Sequence, residues 1–243
     1  MDQNKSAKRS LTRRQILAGA AASGSAVLGW RAADTQAGAA GSAKPNGKIC
    51  ILTPEAAEGP FYFDPKLVRA AIAEGRAGAP LALTLQVVEA GTCGALDKAR
   101  VDIWHCDGLG VYSGYARQET GSAEGETFLR GTQFTNADGM VRFDTIYPGW
   151  YPGRTPHIHF KVILDDRDLV TGQLYFPDSV SARVYAAHSP YRERKQERDT
   201  VNANDFIFLE QNGAGTLADT EEAGGSYRAA LVIGINRARK DRT

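Results

Sequence analysis

Residues 154–164 read Arg-Thr-Pro-His-Ile-His-Phe-Lys-Val-Ile-Leu, and from His157 onward this run predicts a β-strand. His157 and His159 stand at i and i+2, so both imidazoles point to one face of that strand while Ile158 faces a core on the other. Imidazoles placed in this way can converge on one metal ion. Only four histidines occur in 243 residues, so two on one strand face carry information. The simpler alternative is a strand with two hydrogen-bonded histidines, and the surrounding chain has to decide between the two.

On either side the chain reads as further strands separated by turn signals. Upstream are residues 81–88, closed by Gly91, and 99–106, closed by Asp107-Gly108-Leu109-Gly110. Residues 128–134 follow, turning at Asn136 to Gly139 into 141–146. Downstream come the turn Asp165-Asp166 and strands at 170–176, 206–209 and 227–235. Strands at this spacing predict an all-β fold, a β-sandwich core over residues 81–243. Residues 40–80 are expected to form a linker, an extended arm over 53–63 and a short helix over 65–76. Leu67, Ala70, Ala71 and Ala73 give that helix a weak apolar face. The polar stretch 179–204 reads as loop with some helix.

The first 39 residues read as an export segment. Lys5, Lys8 and Arg9 precede Thr12-Arg13-Arg14-Gln15-Ile16-Leu17 and an apolar, small-residue run from Ala18 to Trp30. The paired arginines resemble a twin-arginine signal, with Ala37-Gly38-Ala39 as a cleavage site. A membrane anchor is the alternative, but the apolar run is short and rich in Gly, Ala and Ser. The expected route is twin-arginine export to the periplasm or the medium. Without the leader the chain keeps 23 basic and 26 acidic residues, a net charge of −3. With no basic block, nucleic acid is not an expected partner. About 200 residues suit one domain around one core, and a homo-oligomer is compatible with the sequence. An oxidising destination lets cysteines pair: Cys93 with Cys106 is the expected disulfide, two separately buried thiols the alternative, and Cys50 is expected to stand alone.

Two imidazoles do not fill a metal site. Asp144, Asp165 and Asp166 are near in sequence, but the last two sit at a turn, and the H-E-x-x-H and C-x-x-C frames of zinc sites are absent. Tyrosine is the more abundant candidate, at Tyr112, Tyr115, Tyr147 and Tyr151. A phenol with a pKa of ~10 ionises at neutral pH only beside a strong Lewis acid. Ferric iron is such an acid, and two phenolates with one hydroxide would neutralise it, which permits burial.

Three strings carry a family resemblance. Val101-Asp-Ile-Trp-His-Cys-Asp-Gly-Leu-Gly-Val-Tyr112-Ser-Gly-Tyr115, Thr145-Ile-Tyr-Pro-Gly-Trp-Tyr151 and Arg154-Thr-Pro-His157-Ile-His159-Phe together resemble the intradiol ring-cleavage dioxygenases, over about Thr53 to Val232. The resemblance implies one non-haem Fe(III) per chain, held by Tyr112, Tyr151, His157 and His159. It further implies that Arg154 is the active-site arginine and that Gln173 lies beside the substrate. Tyr151 would be the axial phenolate that takes a substrate proton. The implied reaction cleaves a catechol-type ring between its two hydroxylated carbons with O2, giving a muconate-type diacid. Tyr115 and Tyr147 are expected as pocket-wall or surface aromatics, His105 as structural, and His188 without a role. Only five residues separate Tyr151 from His157, fewer than in better-known members, and this connection walls the catechol pocket; the ring substituents therefore stay open. The competing readings are a secreted β-sandwich binding module without chemistry and a zinc-dependent hydrolase using the same H-x-H.

Overall fold

The computed structural model describes residues 50–238; the expected leader, its cleavage site and the linker at 40–48 lie outside them. Strand β1 (Pro80–Glu89) alternates, burying Leu81, Leu83, Leu85 and Val87 on one face. It pairs antiparallel with β4 (Met140–Ile146) and parallel with β8 (Ser226–Ile235), beyond which β7 (Asp219–Ala223) forms the edge. The second sheet is antiparallel throughout, in the order β3 (Arg130–Phe134), β2 (Arg100–Trp104), β5 (His157–Leu164), β6 (Arg167–Tyr175). Its Val101, Ile103, Ile158, Phe160, Val162 and Leu174 join the first sheet's leucines in one core. The expected all-β sandwich is present. At Gly172 a Cβ would stand 2.4 Å from the Phe160 ring, so no larger residue fits there without moving that core aromatic.

The β5–β6 hairpin sets the functional face. Asp165 and Asp166 both take left-handed φ, 52° and 57°, as the commonest two-residue hairpin requires. That turn alone would place Gly172 opposite His159. Instead Ile163 pairs with Asp168 but Val162 with Val170, so Leu169 is an extra residue and the register shifts by one. A shift of one exchanges the faces of a strand. His159 thereby opposes Gln173, and His157 opposes Tyr175. Since Trp104 opposes both His159 and Arg130, the row Arg130, Trp104, His159, Gln173 crosses the whole sheet on the side away from the core.

An outward sheet face ordinarily meets water, but here an extended arm covers it. Ala56 N–H donates to Thr171 O, Glu58 pairs with Lys161, Tyr62 Oη donates to Asp102 at 2.9 Å, and Asp64 meets Arg100 at 2.6 Å. His157, His159, Lys161 and Asp102 are buried as a result.

Three expectations over secondary structure and cysteines are corrected. Residues 65–76 form no helix. Their backbone crosses the free edges of both sheets, Arg69 N–H donating to Thr132 O and Ile72 N–H to Asp144 O. A weak apolar face could not outweigh two open strand edges asking for partners. Residues 206–209 are helix, not strand: α2 (Phe206–Glu210) starts at Asp205, whose Oδ1 accepts from the Ile207 and Phe208 amides. Cys93 is bonded to Cys50, with Cα atoms 5.4 Å apart, and Cys106 is a buried free thiol. Cys93 lies in the turn after β1, with φ 57°, while Cys106 continues the outward face of β2. Strand β7 gave no sequence signal because Asp219, Glu221 and Glu222 make it a charged edge. The polar stretch 179–204, expected as loop with some helix, holds all but the first residue of the helix α1 (Asp178–Ala187).

The bridge closes 43 residues and ties the start of the arm to β1. Cys93→Ala is expected to lower the unfolding free energy by about 2–4 kcal/mol, read as a lower denaturant midpoint than that of the untreated parent. Reductant should reproduce the shift in the parent and add nothing to the variant.

Candidate metal centre

Strand β5 presents His157 and His159 side by side, ring centroids 4.8 Å apart. His157 Nδ1 lies 2.7 Å from Thr155 O. A carbonyl can only accept, so Nδ1 carries the proton and Nε2 keeps its lone pair, the arrangement that second-shell partners impose on metal-binding histidines. Toward that Nε2 point two phenols: Tyr151 Oη at 3.0 Å and Tyr112 Oη at 3.4 Å. The four residues taken from the resemblance as ligands are therefore one cluster. Among the described residues no three His, Cys, Asp or Glu side chains group together, so the oxygen donors available to this histidine pair are phenols.

Aromatic packing orients the donors. Trp104 stacks on His159, with centroids 4.8 Å apart and planes 11° from parallel, and Phe61 of the arm stacks on Tyr112 at 4.5 Å and 18°. Tyr112 and Tyr151 meet edge to face at 5.8 Å. Burial dominates the electrostatics. It pushes the Tyr112 phenol well up, helped by Tyr151, and raises Tyr151 to about 12 against the lowering effect of Arg154. Burial, with Arg154 next, holds His157 and His159 well below the ordinary imidazole range. Without a metal all four donors are neutral at pH 7.

Arg154 lies at the mouth of β5 and is 9% exposed. Its Nε donates to Asp205 Oδ2 at 2.9 Å and its Nη2 to Gln173 Oε1 at 2.5 Å. Gln173 also accepts from Tyr175 Oη and donates to Ala57 O in the arm. The resemblance thus named an arginine and a glutamine that are in direct contact. Asp205, fully buried, was missed: it fixes Arg154 with one oxygen, accepting the Thr155 amide there as well, and caps α2 with the other. The Asn204-Asp205 pair before an apolar run was a readable cap signal, but nothing local links it to an arginine 51 positions upstream. Trp104 and Phe61 were likewise missed as packing partners of the donors.

The other candidates stay apart from the cluster. Tyr147 is neither pocket wall nor surface: it is buried in the core with its Oη 2.8 Å from Ser181 Oγ. Tyr115 is half-buried and donates to Tyr62 O. His188 contacts Tyr227 Oη at 3.2 Å. His105 gives Nδ1–H to Cys106 O and sets Nε2 2.8 Å from Thr145 Oγ1, a fully bonded structural residue. Burial pushes His105 down to about 4. From pH ~6.5 downward the unfolded chain binds a proton there that the folded chain refuses until about pH 4. This contribution to stability is complete above ~6.5 and is lost as pH falls through that window, at roughly 1.4 kcal/mol per pH unit. Metal-free protein should accordingly show a lower urea midpoint at pH 5 than at pH 7. His105→Asn should lessen that dependence without abolishing it, because the buried His157 and His159 rings act in the same direction.

A family model described as Dioxygenase matches residues 58–198, more than half of the chain. An intradiol ring-cleavage dioxygenase from Tetranychus urticae is 35% identical, aligns over 79% of this chain and 98% of its own, and superposes with a TM-score of 0.72. The dioxygenase domain of a dioxygenase–carbohydrate-binding protein fusion from the cellulolytic bacterium Streptomyces sp. SirexAA-E is 26% identical over 77% of this chain and 99% of its own, with a TM-score of 0.56. Catechol 1,2-dioxygenase from Acinetobacter sp. ADP1, 22% identical over 79% of this chain and 67% of its own, shares the fold with a TM-score of 0.54. Tyr112, Tyr151, Arg154, His157 and His159 all fall inside the matched region, and the chain belongs to the intradiol ring-cleavage dioxygenase family.

Proposed function

We propose that this chain is a ferric non-haem dioxygenase that opens a catechol-type ring between its two hydroxylated carbons with O2, releasing a muconate-type diacid. The observation that carries the reading is the convergence of two buried phenol oxygens on His157 Nε2, with His159 beside it on the same strand face.

The donor set fits ferric iron. Phenols whose pKa burial raises, Tyr151 to about 12 and Tyr112 in the same direction, stay protonated beside a weak Lewis acid and ionise beside a strong one. Two phenolates offset most of a trivalent charge, so the ion can be buried without a large penalty. His159 Nδ1 is buried without a hydrogen-bond partner among the described residues, a cost that a purely structural histidine would avoid. Tyr112, Tyr151, His157 and His159 would hold the ion. When bound, ferric iron supplies a Lewis acid and a template on which a catecholate and O2 can meet.

The chain's own groups do the remainder. Tyr151 sits on the turn 151–154, where it bridges to Arg154, and not in a ladder. Its Oη is basic enough as a phenolate to take and hold a catechol hydroxyl proton. Arg154 is always cationic and is clamped by Asp205 and Gln173, so it offers positive charge where the ring gains electron density without having to reorganise. Phe61, Trp104 and the arm shield the donors from water. Tyr112→Phe and Tyr151→Phe should each shift the visible phenolate-to-iron band, whereas Tyr115→Phe and Tyr147→Phe leave it in place. A reversed pattern in absorption spectra would mean that other phenols bind the ion. Oxygen uptake with catechol, protocatechuate, hydroxyquinol and substituted catechols then tests the substrate class. No turnover of any catechol by iron-replete protein would refute the activity.

Export by the twin-arginine route belongs to the same reading. The Cys50–Cys93 disulfide supports it, since such bonds persist in oxidising compartments. Substituting Lys for Arg13 and Arg14 should hold the protein in the cytoplasm of an expressing bacterium, and unchanged fractionation would contradict that route.

A further inference from the structure

Three of the four proposed donors have identifiable backbone anchorage. His157 and His159 lie in the β5 ladder, bonded on both sides, and Tyr151 bridges to Arg154. Tyr112 is different. It belongs to no strand or helix and sits between Gly110 and Gly114, both at φ 88°. Glycines at such angles leave a loop with many conformations to choose from. Something else must fix this phenol.

Gln118 does so through its side-chain amide. Its Oε1 accepts the Tyr112 N–H at 2.7 Å, and its Nε2 donates to Tyr112 O at 2.7 Å and to Tyr115 O at 3.2 Å. The amide therefore stands where a neighbouring strand would stand and satisfies both backbone groups of one residue. No other backbone partner serves Tyr112 among the described residues. Gln118 is itself held by paired backbone bonds with Gly121. Arg130 secures the next residue, donating from Nε to Ser113 Oγ and from Nη2 to Ser113 O, both at 2.8 Å. Phe61 then closes the face of the Tyr112 ring.

We infer that Gln118 is a positioning residue, which sets the Tyr112 phenol at the metal by clamping both hydrogen-bonding groups of the Tyr112 backbone. The inference rests on the proposed role of Tyr112 as an iron ligand. The Gln118 side-chain amide bonds only to backbone atoms of Tyr112 and Tyr115 among the described residues, not to a donor atom of the cluster, so it acts on the site through Tyr112. Outer-sphere partners of metal ligands typically matter about 10–100-fold in metal affinity, and among the described residues this one makes both hydrogen bonds to the backbone of its ligand.

Gln118→Met keeps length and removes both bonds, Gln118→Glu keeps the acceptor and loses the donor, and each is combined with Tyr112→Phe. The readouts are iron release to a chelator and the position of the visible band in the full-length protein, with the melting temperature of the metal-free form as a control on folding. Gln118→Met is expected to release iron roughly 10–100-fold faster and to shift the band, with Gln118→Glu changing both less and in the same direction. In the Tyr112→Phe background, Gln118→Met should change release by no more than about twofold, because residues acting through one another are not additive. Wild-type release and an unmoved band in Gln118→Met would overturn the inference, as would an undiminished effect in the Tyr112→Phe background. Should Tyr112→Phe alone leave iron and colour unaltered, the ligand assignment beneath it fails instead. If Gln118→Met does not fold, the same comparisons are made with Gln118→Glu.

Discussion

His157→Ala and His159→Ala should each yield a folded protein that does not retain iron. Both side chains are buried on one strand face, but their loss takes no bond from the β5 ladder, which is a backbone structure. The fold should survive while the donor set drops from four to three. Binding couples to the arrangement of the ligands, and losing His157 also removes the nitrogen on which both phenol oxygens converge. Metal analysis after gel filtration should find iron near background in both variants, with circular dichroism close to the parent. His105→Asn and His188→Ala should keep their iron, since neither ring touches the cluster. Iron loss in His105→Asn with retention in His157→Ala would overturn the ligand assignment.

Arg154→Met should separate iron binding from turnover. The guanidinium contacts Asp205 and Gln173, not a donor atom of the cluster, so iron and colour should remain and a catechol should still bind in the absence of O2. Removing a pre-organised donor aimed at developing charge costs about 2.7–4 kcal/mol, roughly a hundred- to thousandfold in rate. Steady-state oxygen uptake at saturating catechol reads that loss directly. Asp205 keeps three amide donors in the variant, from Thr155, Ile207 and Phe208, so its carboxylate is not left unbonded. Asp205→Asn, which weakens the clamp but leaves the cation, should lower turnover by less. Near-normal turnover in Arg154→Met would make the residue structural.

What the sequence showed and what it hid follow a physical division. The alternation in β1, the two-aspartate hairpin and the i, i+2 histidines are local patterns, and each is found where its pattern placed it. The phenols could be assigned only through motif strings, because Tyr112 and Tyr151 reach His157 from separate loops and no spacing rule joins them. The bulge at Leu169 was invisible for another reason. It depends on pairing with β5, yet it decides that Gln173 and Tyr175 face the site and not the core. Residues 65–76 went wrong because helix propensity is judged within the segment, whereas the bonds that won come from the edges of β3 and β4. Cys50 with Cys93 and Asp205 with Arg154 are partners of the same kind, set by folding and not by neighbourhood in the chain.

If two phenolates and two imidazoles hold a ferric ion able to take up a catechol, metal content and colour both report it. The most direct measurement combines metal content with the visible spectrum of purified protein, before and after anaerobic addition of catechol. The expected result is about one ferric ion per chain and a broad phenolate-to-iron band that moves when catechol is added. Colourless, zinc-loaded protein that remains colourless and inert after reconstitution with iron would contradict it.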